Sequence, residues 1–404
     1  MTWLKRRLSL PDETPTAVAL AIAFYCSHLI CSGWVASSEC FVAFSLMAFL
    51  WALYRKQIAL SSHIIYFPLA VYGIDSTVSA LVAPREIHSF GENALWLKMA
   101  LFPVALILFR QVPRARDLAL RALLIFGVFS ASYGLFQYFV LAQGDLEHRI
   151  TGPTAHVMTL SGLLLPASLL FLILWIHDRP NLWLLGGTLI VTLALLLTLT
   201  RSAWLGWLVA VSVLLILKWP RALVFAAPLL LFFVIFMPLP LFSRVVSSFD
   251  TRQSSNLDRI RMIQAGVEII KDYPLLGVGP ANVKEVYPLY RKHDAPRFRI
   301  PHLHNNIIQL WAERGVLALA AYILLNVLFL REFWRGWRGP ESRFAEVGVG
   351  VAVGLAAAGM FEFNFGDTEV FWIVLDTAAL VVAFIERPRP SNEPSPSAVS
   401  VNGP

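Results

Sequence analysis

"NLWLLGGTLIVTLALLLTLTRSAWLGWLVAVSVLLIL", residues 181–217, holds a single charged side chain, Arg201, in 37 positions. A helix that crosses a bilayer needs about 20 apolar residues at a rise of about 1.5 Å each, so this stretch is roughly twice too long for one crossing. The spacing predicts two spanning helices joined by a turn, with Arg201 and Ser202 at that turn. A fold that contains such a segment belongs in a membrane.

The rest of the chain agrees. Hydrophobic residues make up 57% of the 404 positions, aromatics 13% and charged residues only 15%, far more apolar than a soluble domain. Apolar segments recur at 16–33, 37–54, 61–83, 94–109, 118–141, 155–176, 182–200, 202–217, 221–241, 306–330, 344–361 and 369–385. The expectation is therefore an all-α polytopic membrane protein of about twelve transmembrane helices. Spans 1–9 occupy 1–241, one long loop with short helices occupies 242–304, and spans 10–12 occupy 305–386. The start "WLKRR" precedes an apolar run without a small-residue cleavage site, which suggests a retained first span. The end, 387–404, is rich in Pro and Ser and is expected to be a disordered cytoplasmic tail.

The formal charge of +7 invites a nucleic-acid reading, but no basic, aromatic-interleaved surface domain carries it. It is better understood as topology, because short cytoplasmic loops collect Lys and Arg. With the N-terminus inside, the inner loops hold Lys5 to Arg7, Arg55, Lys56, Arg110, Arg114, Arg116, Arg121, Arg179, Lys218, Arg221, Arg331, Arg335, Arg338, Arg343, Arg387 and Arg389. The short outer loops hold Arg85, Lys98, Arg149 and Arg201, so the balance is eighteen to four. Both termini are thus expected in the cytoplasm and 242–304 outside. Cys26, Cys31 and Cys40 lack Cys-x-x-Cys spacing and suggest neither zinc nor a disulfide framework. Asp75, in the third span, is read as a buried polar contact.

In the long loop, Ile260, Ile263, Val267 and Ile270 recur at helical spacing. Ser255 or Asn256 can cap the start and Pro274 ends the helix before the Gly277–Gly279 turn. An amphipathic helix at the membrane surface follows, with Arg259 and Arg261 near its beginning. The Gly-Val-Gly turn is no dinucleotide fingerprint, since it follows a helix and lacks a third glycine.

Polarity also gathers in "IPHLHNNIIQLWAERGVLAL", 300–319. Pro301 can start a helix whose apolar part begins at Gly315, which puts Glu313 and Arg314 near the outer interface and Asn305 about 12 to 15 Å further out. Asn305 and Gln309 share a face, and His304 is a base candidate at the exposed start. His293, His302 and His304 suggest a metal alternative, but the His-Glu-x-x-His pattern is absent and no metal is expected. Ordinary snorkelling would equally explain Arg201 and Arg259.

Three stretches together, "RSAWLGW" at 201–207, "DRIRMIQAGVEIIKDYPLLGVGP" at 258–280 and "HLHNNIIQLWAERGVLAL" at 302–319, resemble the bacterial O-antigen ligase and polymerase superfamily, with a layout most similar to the ligases. The motifs cover about 200–330 and the span layout nearly the whole chain. His304 and Asn305, nine further residues, Gly315 and then Ala318 match the ligase pattern, although the family more often has Gly, Thr or Tyr at Ala318. Ile263 stands where the family often has Trp, four residues after Arg259.

The resemblance implies a GT-C-like membrane glycosyltransferase without cofactor. Its donor would be an undecaprenyl-pyrophosphate-linked glycan and its acceptor lipid A-core, at the periplasmic face of the inner membrane among membrane lipids, with no nucleic acid involved. His304 would be the general base and Arg201 and Arg259 the pyrophosphate clamp. Arg261, Asn305, Gln309 and Ser202 would contact substrate. An O-antigen polymerase is the alternative. A transporter of twelve spans is a further one, disfavoured because transporters usually place their polar groups at mid-membrane.

Overall fold

The computed structural model describes residues 2–83, 95–143, 148–222 and 254–386. Its helices are α1 (Thr2–Arg7), α2 (Thr16–Ile30), α3 (Val35–Tyr54), α4 (Tyr66–Val82), α5 (Leu95–Gln111), α6 (Pro113–Phe139), α7 (Val157–His177), α8 (Leu182–Leu197), α9 (Arg201–Lys218), α10 (Ser254–Asp272), α11 (Val283–Tyr290), α12 (Asn306–Arg335), α13 (Ser342–Ala358) and α14 (Thr368–Ile385). Among the described residues there is no strand. Six helices, α3, α6, α7, α9, α12 and α14, are long and apolar enough to cross a membrane, and α2, α4 and α8 are shorter apolar helices. The chain is an all-α polytopic membrane protein. Helices prevail because a bilayer offers no water to the backbone, so each span must satisfy its own N–H and C=O groups. The expected ninth span, the loop up to 253 and the tail from 387 fall outside the described residues, apart from a short 3-10 turn at Pro220–Ala222.

The 181–217 stretch does divide where expected. Asn181 caps α8 by accepting hydrogen bonds from the Trp183 and Leu184 N–H groups at 3.1 and 3.3 Å, and the chain reverses through Leu199, whose φ is +53°. The two helices do not pair as a closed hairpin, however. α8 packs on α6 and α7, whereas α9 packs on α13. The reason is a close crossing at Gly206, where an added Cβ would lie 2.4 Å from the Gly354 carbonyl oxygen. In lipid, where apolar area does not drive association, such small-residue contacts select the partner.

The two ends of the bundle differ chemically. At one end Arg110 forks onto Glu386 at 2.8 Å, Arg343 pairs with Asp178 at 2.8 Å, and Glu346 takes His177 at 2.8 Å and Lys218 at 2.7 Å. Of these, Arg110, Lys218 and Arg343 are residues assigned to the inner side by charge. At the other end Lys98 donates to Thr368 at 2.8 Å, Ser79 donates to the Leu276 carbonyl at 2.6 Å, and α10 and α11 assemble their own small core. The spans are not free of internal polarity. His28 of α2 reaches Asp376 of α14 at 3.1 Å and Ser38 of α3 at 2.6 Å, and Tyr25 donates to Asp376 at 2.7 Å. Because each of these buried groups has a partner, the network ties three helices without an orphaned charge.

In the small core, Met262, Ala265 and Ile269 of α10 pack with Val278, Val283, Tyr287, Ile300, Leu303 and Ala312. Of the stripe that the spacing marked, Ile260 and Val267 are exposed and Ile270 is buried. α10 has two apolar faces, one filled by the loop and α12, the other open in the manner of a helix lying on a lipid surface.

α12 is also not the single protruding rod expected. It breaks at Gly315, where φ is +84° and ψ −175°, and the 274–279 turn enters the break. Val278 N–H donates to Ala312 O at 2.9 Å, Gly279 N–H to Glu313 O at 2.8 Å, and Val316 N–H to Pro274 O at 3.1 Å. The backbone groups released by the break are thereby satisfied. Glu313 and Arg314 are consequently buried within the protein, against α4.

Candidate active site

The first turn of α12 starts at Asn305, not at Pro301. Asn305 has extended backbone (φ −156°, ψ 123°) and its side-chain oxygen accepts the Ile308 N–H, the geometry of an N-cap. Its amide donates to the Met360 carbonyl at 2.9 Å. Asn306 adds three contacts to the same neighbourhood. Its N–H donates to Gly359 O at 2.8 Å, its Nδ2 donates to Asn364 Oδ1 at 2.7 Å, and its Oδ1 accepts from the Phe365 N–H at 3.2 Å. The two asparagines thus fasten the α13–α14 connection, 359–367, onto the head of α12. That connection carries Glu362.

Glu362 is the residue that organises the site. Both its carboxylate oxygens lie 3.0 Å from His304 Nδ1, Oε1 lies 3.5 Å from His302 Nε2, and Oε2 lies 3.9 Å from an Arg259 Nη2. Burial by itself would raise this carboxyl, but the hydrogen bond and charge of His304, with His302 and Arg259, outweigh it and hold Glu362 below the usual carboxylate range. An ionised carboxylate only accepts hydrogen bonds, so the proton of a neutral His304 resides on Nδ1 and Nε2 keeps its lone pair. Among the described residues Nε2 makes no hydrogen bond. His304 itself is held at φ +52°, a left-handed conformation uncommon outside glycine, and Gln309 supports the loop by accepting the Leu303 N–H at 2.7 Å. Burial, helped by His304, Arg297 and His156 and opposed by Glu362, pushes His302 down to about 4. It is neutral at pH 7.

Glu362, His302 and His304 line a cavity of about 490 Å³ bounded also by His156, Gln309, Arg297, Glu313 and Arg314, and Arg259 and Arg201 stand outside its lining. The other residues singled out from sequence fall into two sets. Arg201, the first residue of α9, donates to Asn256 Oδ1 at 2.9 Å and to Ser255 Oγ at 3.3 Å, so it stands beside the first turn of α10. Arg259 lies one turn further along that helix, and the two guanidinium-bearing residues are joined through it. Arg261 instead faces the 291–300 loop, where it pairs with Asp294 and donates to Gln264. Asp258 pairs with Arg297 across the same loop. Ser202 is buried in α9. His293 is exposed and outside the His302–His304–Glu362 cluster. Neither Asn305 nor Gln309 hydrogen-bonds the His304 ring. Their bonds go to backbone, which places them as supports of the loops around it.

Sequence reasoning missed Glu362 and Asn306. Nothing local marks Glu362, since its partner is 58 residues away. Asn306 was legible only as one of two adjacent asparagines.

A bundle of apolar helices with a polar cavity at one end, lined by an imidazole and flanked by arginines, defines a multi-pass membrane protein with a site for a polar group presented at the membrane surface. The model of the family described as O-antigen ligase matches residues 186–323, a stretch that contains Arg201, Arg259 and His304, so over that part the chain is similar to the O-antigen ligase family. A comparison with curated proteins returned no match. Glu362 lies beyond the matched stretch.

Proposed function

We propose that the chain moves a glycan from undecaprenyl pyrophosphate to lipid A-core at the periplasmic face of the inner membrane, with inversion and without a metal. The observation that carries this reading is the Glu362 carboxylate on His304 Nδ1, which leaves Nε2 as a proton acceptor in a ring that lines the cavity. The acceptor hydroxyl gives its proton to Nε2 while its oxygen attacks the anomeric carbon. The bond from that carbon to the pyrophosphate breaks on the opposite face. Undecaprenyl pyrophosphate departs with the electron pair, and Arg201 and Arg259 bind the charge that develops there. Arginine suits this task because its planar fork meets phosphate oxygens in pairs. Glu362 is a positioning residue, fixing the tautomer and stabilising the imidazolium once it forms, by the logic of a base oriented by a carboxylate. Arg297 and Arg314 also stand in the cavity wall, each paired with a carboxylate, Asp258 and Glu313 respectively.

The test is reconstitution with purified protein, a lipid-linked glycan donor and lipid A-core. Appearance of the whole glycan on the core in a single step supports the reading. Growth of the donor glycan in the absence of lipid A-core would assign the chain to polymerisation instead.

Lysine offers a point charge where arginine offers a fork. Arg201→Lys and Arg259→Lys are each expected to lower transfer by about 10-fold or more at normal membrane levels, since loss of one charge-stabilising donor costs roughly 10²- to 10³-fold and lysine restores part of it. Wild-type rates in both would reduce these arginines to helix anchors. Transfer is also expected to persist in EDTA; its loss, with rescue by Mg²⁺, would contradict a metal-free clamp.

The proposed topology has twelve spans, both termini in the cytoplasm and α10 and α11 outside. Leu289 on α11 is 82% exposed and suits labelling, unlike the nearby Asn282, which is buried. With Cys26, Cys31 and Cys40 replaced, Leu289→Cys is expected to react with an impermeant thiol reagent in intact spheroplasts. Labelling only after lysis would invert the orientation.

A further inference from the structure

Glu362 receives two imidazoles at once. His304 donates to it from Nδ1, while His302, whose Nδ1 accepts the His304 N–H and whose proton therefore sits on Nε2, holds that nitrogen 3.5 Å from the carboxylate, and the ring centroids are 4.2 Å apart. The three ligand-competent atoms lie within 4.8 Å of one another. Two of the separations, 3.0 Å for His304 to Glu362 and 3.5 Å for His302 to Glu362, bracket the edge of about 3.3 Å that a tetrahedron requires with zinc–ligand bonds near 2.0 to 2.1 Å. Two histidines and one glutamate, with the remaining position open to a cavity, form a zinc-competent donor set. The two N–H groups that converge on one carboxylate occupy the place of a divalent cation.

We propose that His302, His304 and Glu362 bind Zn²⁺ as an inhibitor of the site, an inference that rests on the reading of His304 as the base. Zinc would bond His304 at Nδ1, and the ring proton would move to Nε2. Nε2 is then a donor with no lone pair to accept the proton of the acceptor hydroxyl. His302 would bond through Nε2 and shift its own proton to Nδ1, at the cost of the 3.3 Å hydrogen bond it accepts there from the His304 N–H. Each ring keeps one proton throughout, and no oxidation or covalent change is involved. Arg259, 3.9 Å from Glu362, opposes a dication. The site is therefore built for reversible occupancy instead of for a permanent structural ion, and its affinity is coupled to the same arginine that the donor pyrophosphate would engage.

The experiment titrates tag-free, full-length protein with ZnCl₂ by calorimetry, with Co²⁺ as a visible-absorption probe, and in parallel measures transfer with and without zinc. One Zn²⁺ per chain is expected. His302→Gln should weaken it by at least about 10-fold, since even loss of an outer partner typically costs 10- to 100-fold. Arg259→Gln should bind zinc more tightly than wild type, a result read without any activity. At saturation zinc should lower transfer by about 10²- to 10⁴-fold, the usual worth of a general base, with full recovery in chelator. No binding, or binding unchanged in both His302→Gln and Glu362→Gln, overturns the metal site and leaves the base assignment standing. Binding at the cluster with no loss of transfer overturns the inhibition and the base assignment together.

Discussion

His304→Ala is expected to lower glycan transfer by about 10²- to 10⁴-fold, the range for removal of a general base, with membrane levels and donor binding close to wild type. The separation of binding from chemistry follows from the geometry. The proposed pyrophosphate ligands, Arg201 and Arg259, are anchored through the first turns of α9 and α10, not through the imidazole. Glu362→Gln should also be severe, because an amide can present its NH₂ to Nδ1 and stabilise the wrong tautomer. Loss of an orienting carboxylate of this kind has cost about 10⁴-fold elsewhere. His302→Ala should be milder than either, as His302 makes only a 3.5 Å contact to Glu362 and is neutral at pH 7. The assay with purified donor and acceptor decides the matter. A His304→Ala protein with wild-type rate would remove the base from this site and the mechanism with it.

Gly315→Ala is expected to be the most damaging single-methyl change in the chain. Its φ of +84° with ψ of −175° lies in a region that is nearly confined to glycine, and a residue with a Cβ there costs about 1 to 3 kcal/mol in backbone strain alone. An added Cβ would also stand 1.8 Å from the Leu275 carbonyl oxygen and 2.3 Å from its carbon. These are backbone atoms of the turn that satisfies the broken helix, so relief would require displacing the 274–279 segment and the Glu313–Arg314 wall of the cavity. A marked fall in thermal midpoint, with less protein in the membrane, is the expected result. Gly186→Ala is the matched control. That glycine lies inside α8 with nothing within 4 Å of the new Cβ, and an alanine in a helix gains up to about 1 kcal/mol over glycine. If the two variants were equally stable, the break at Gly315 would not be an obligatory feature of the fold.

The two kinds of helix in this chain were legible to different degrees. Spanning helices such as α7 and α9 could be placed from 20-residue windows because the bilayer imposes its constraint locally. Each span must be apolar and must close its own hydrogen bonds, whatever its neighbours do. Arg201 at the start of α9 and the His304–Asn305 pair at the start of α12 were legible for the same reason, as polar interruptions at the ends of apolar runs. Neighbour choice was not. Every span is apolar on all sides, so no amphipathic stripe marks its partner, and α9 joined α13 through Gly206 and Gly354 instead of closing onto α8. On α10 the stripe of Ile260 and Val267 faces outward, and what the spacing did not mark is a second apolar face, Met262 and Ile269, taken up by the loop core.

By itself the sequence determined that this is a multi-pass helical membrane protein, where its apolar segments begin and end, and which histidine and arginines stand at their boundaries. Only the tertiary structure decided that Glu362 orients His304, that α12 breaks at Gly315 and that Arg259 approaches the histidines while Arg261 turns to Asp294. The physical reason is range. Span formation is settled within about 20 consecutive residues by the bilayer, whereas a catalytic geometry depends on carboxylate, imidazole and guanidinium groups that meet only when backbone hydrogen bonds from Asn305 and Asn306 draw the 359–367 connection across the head of α12.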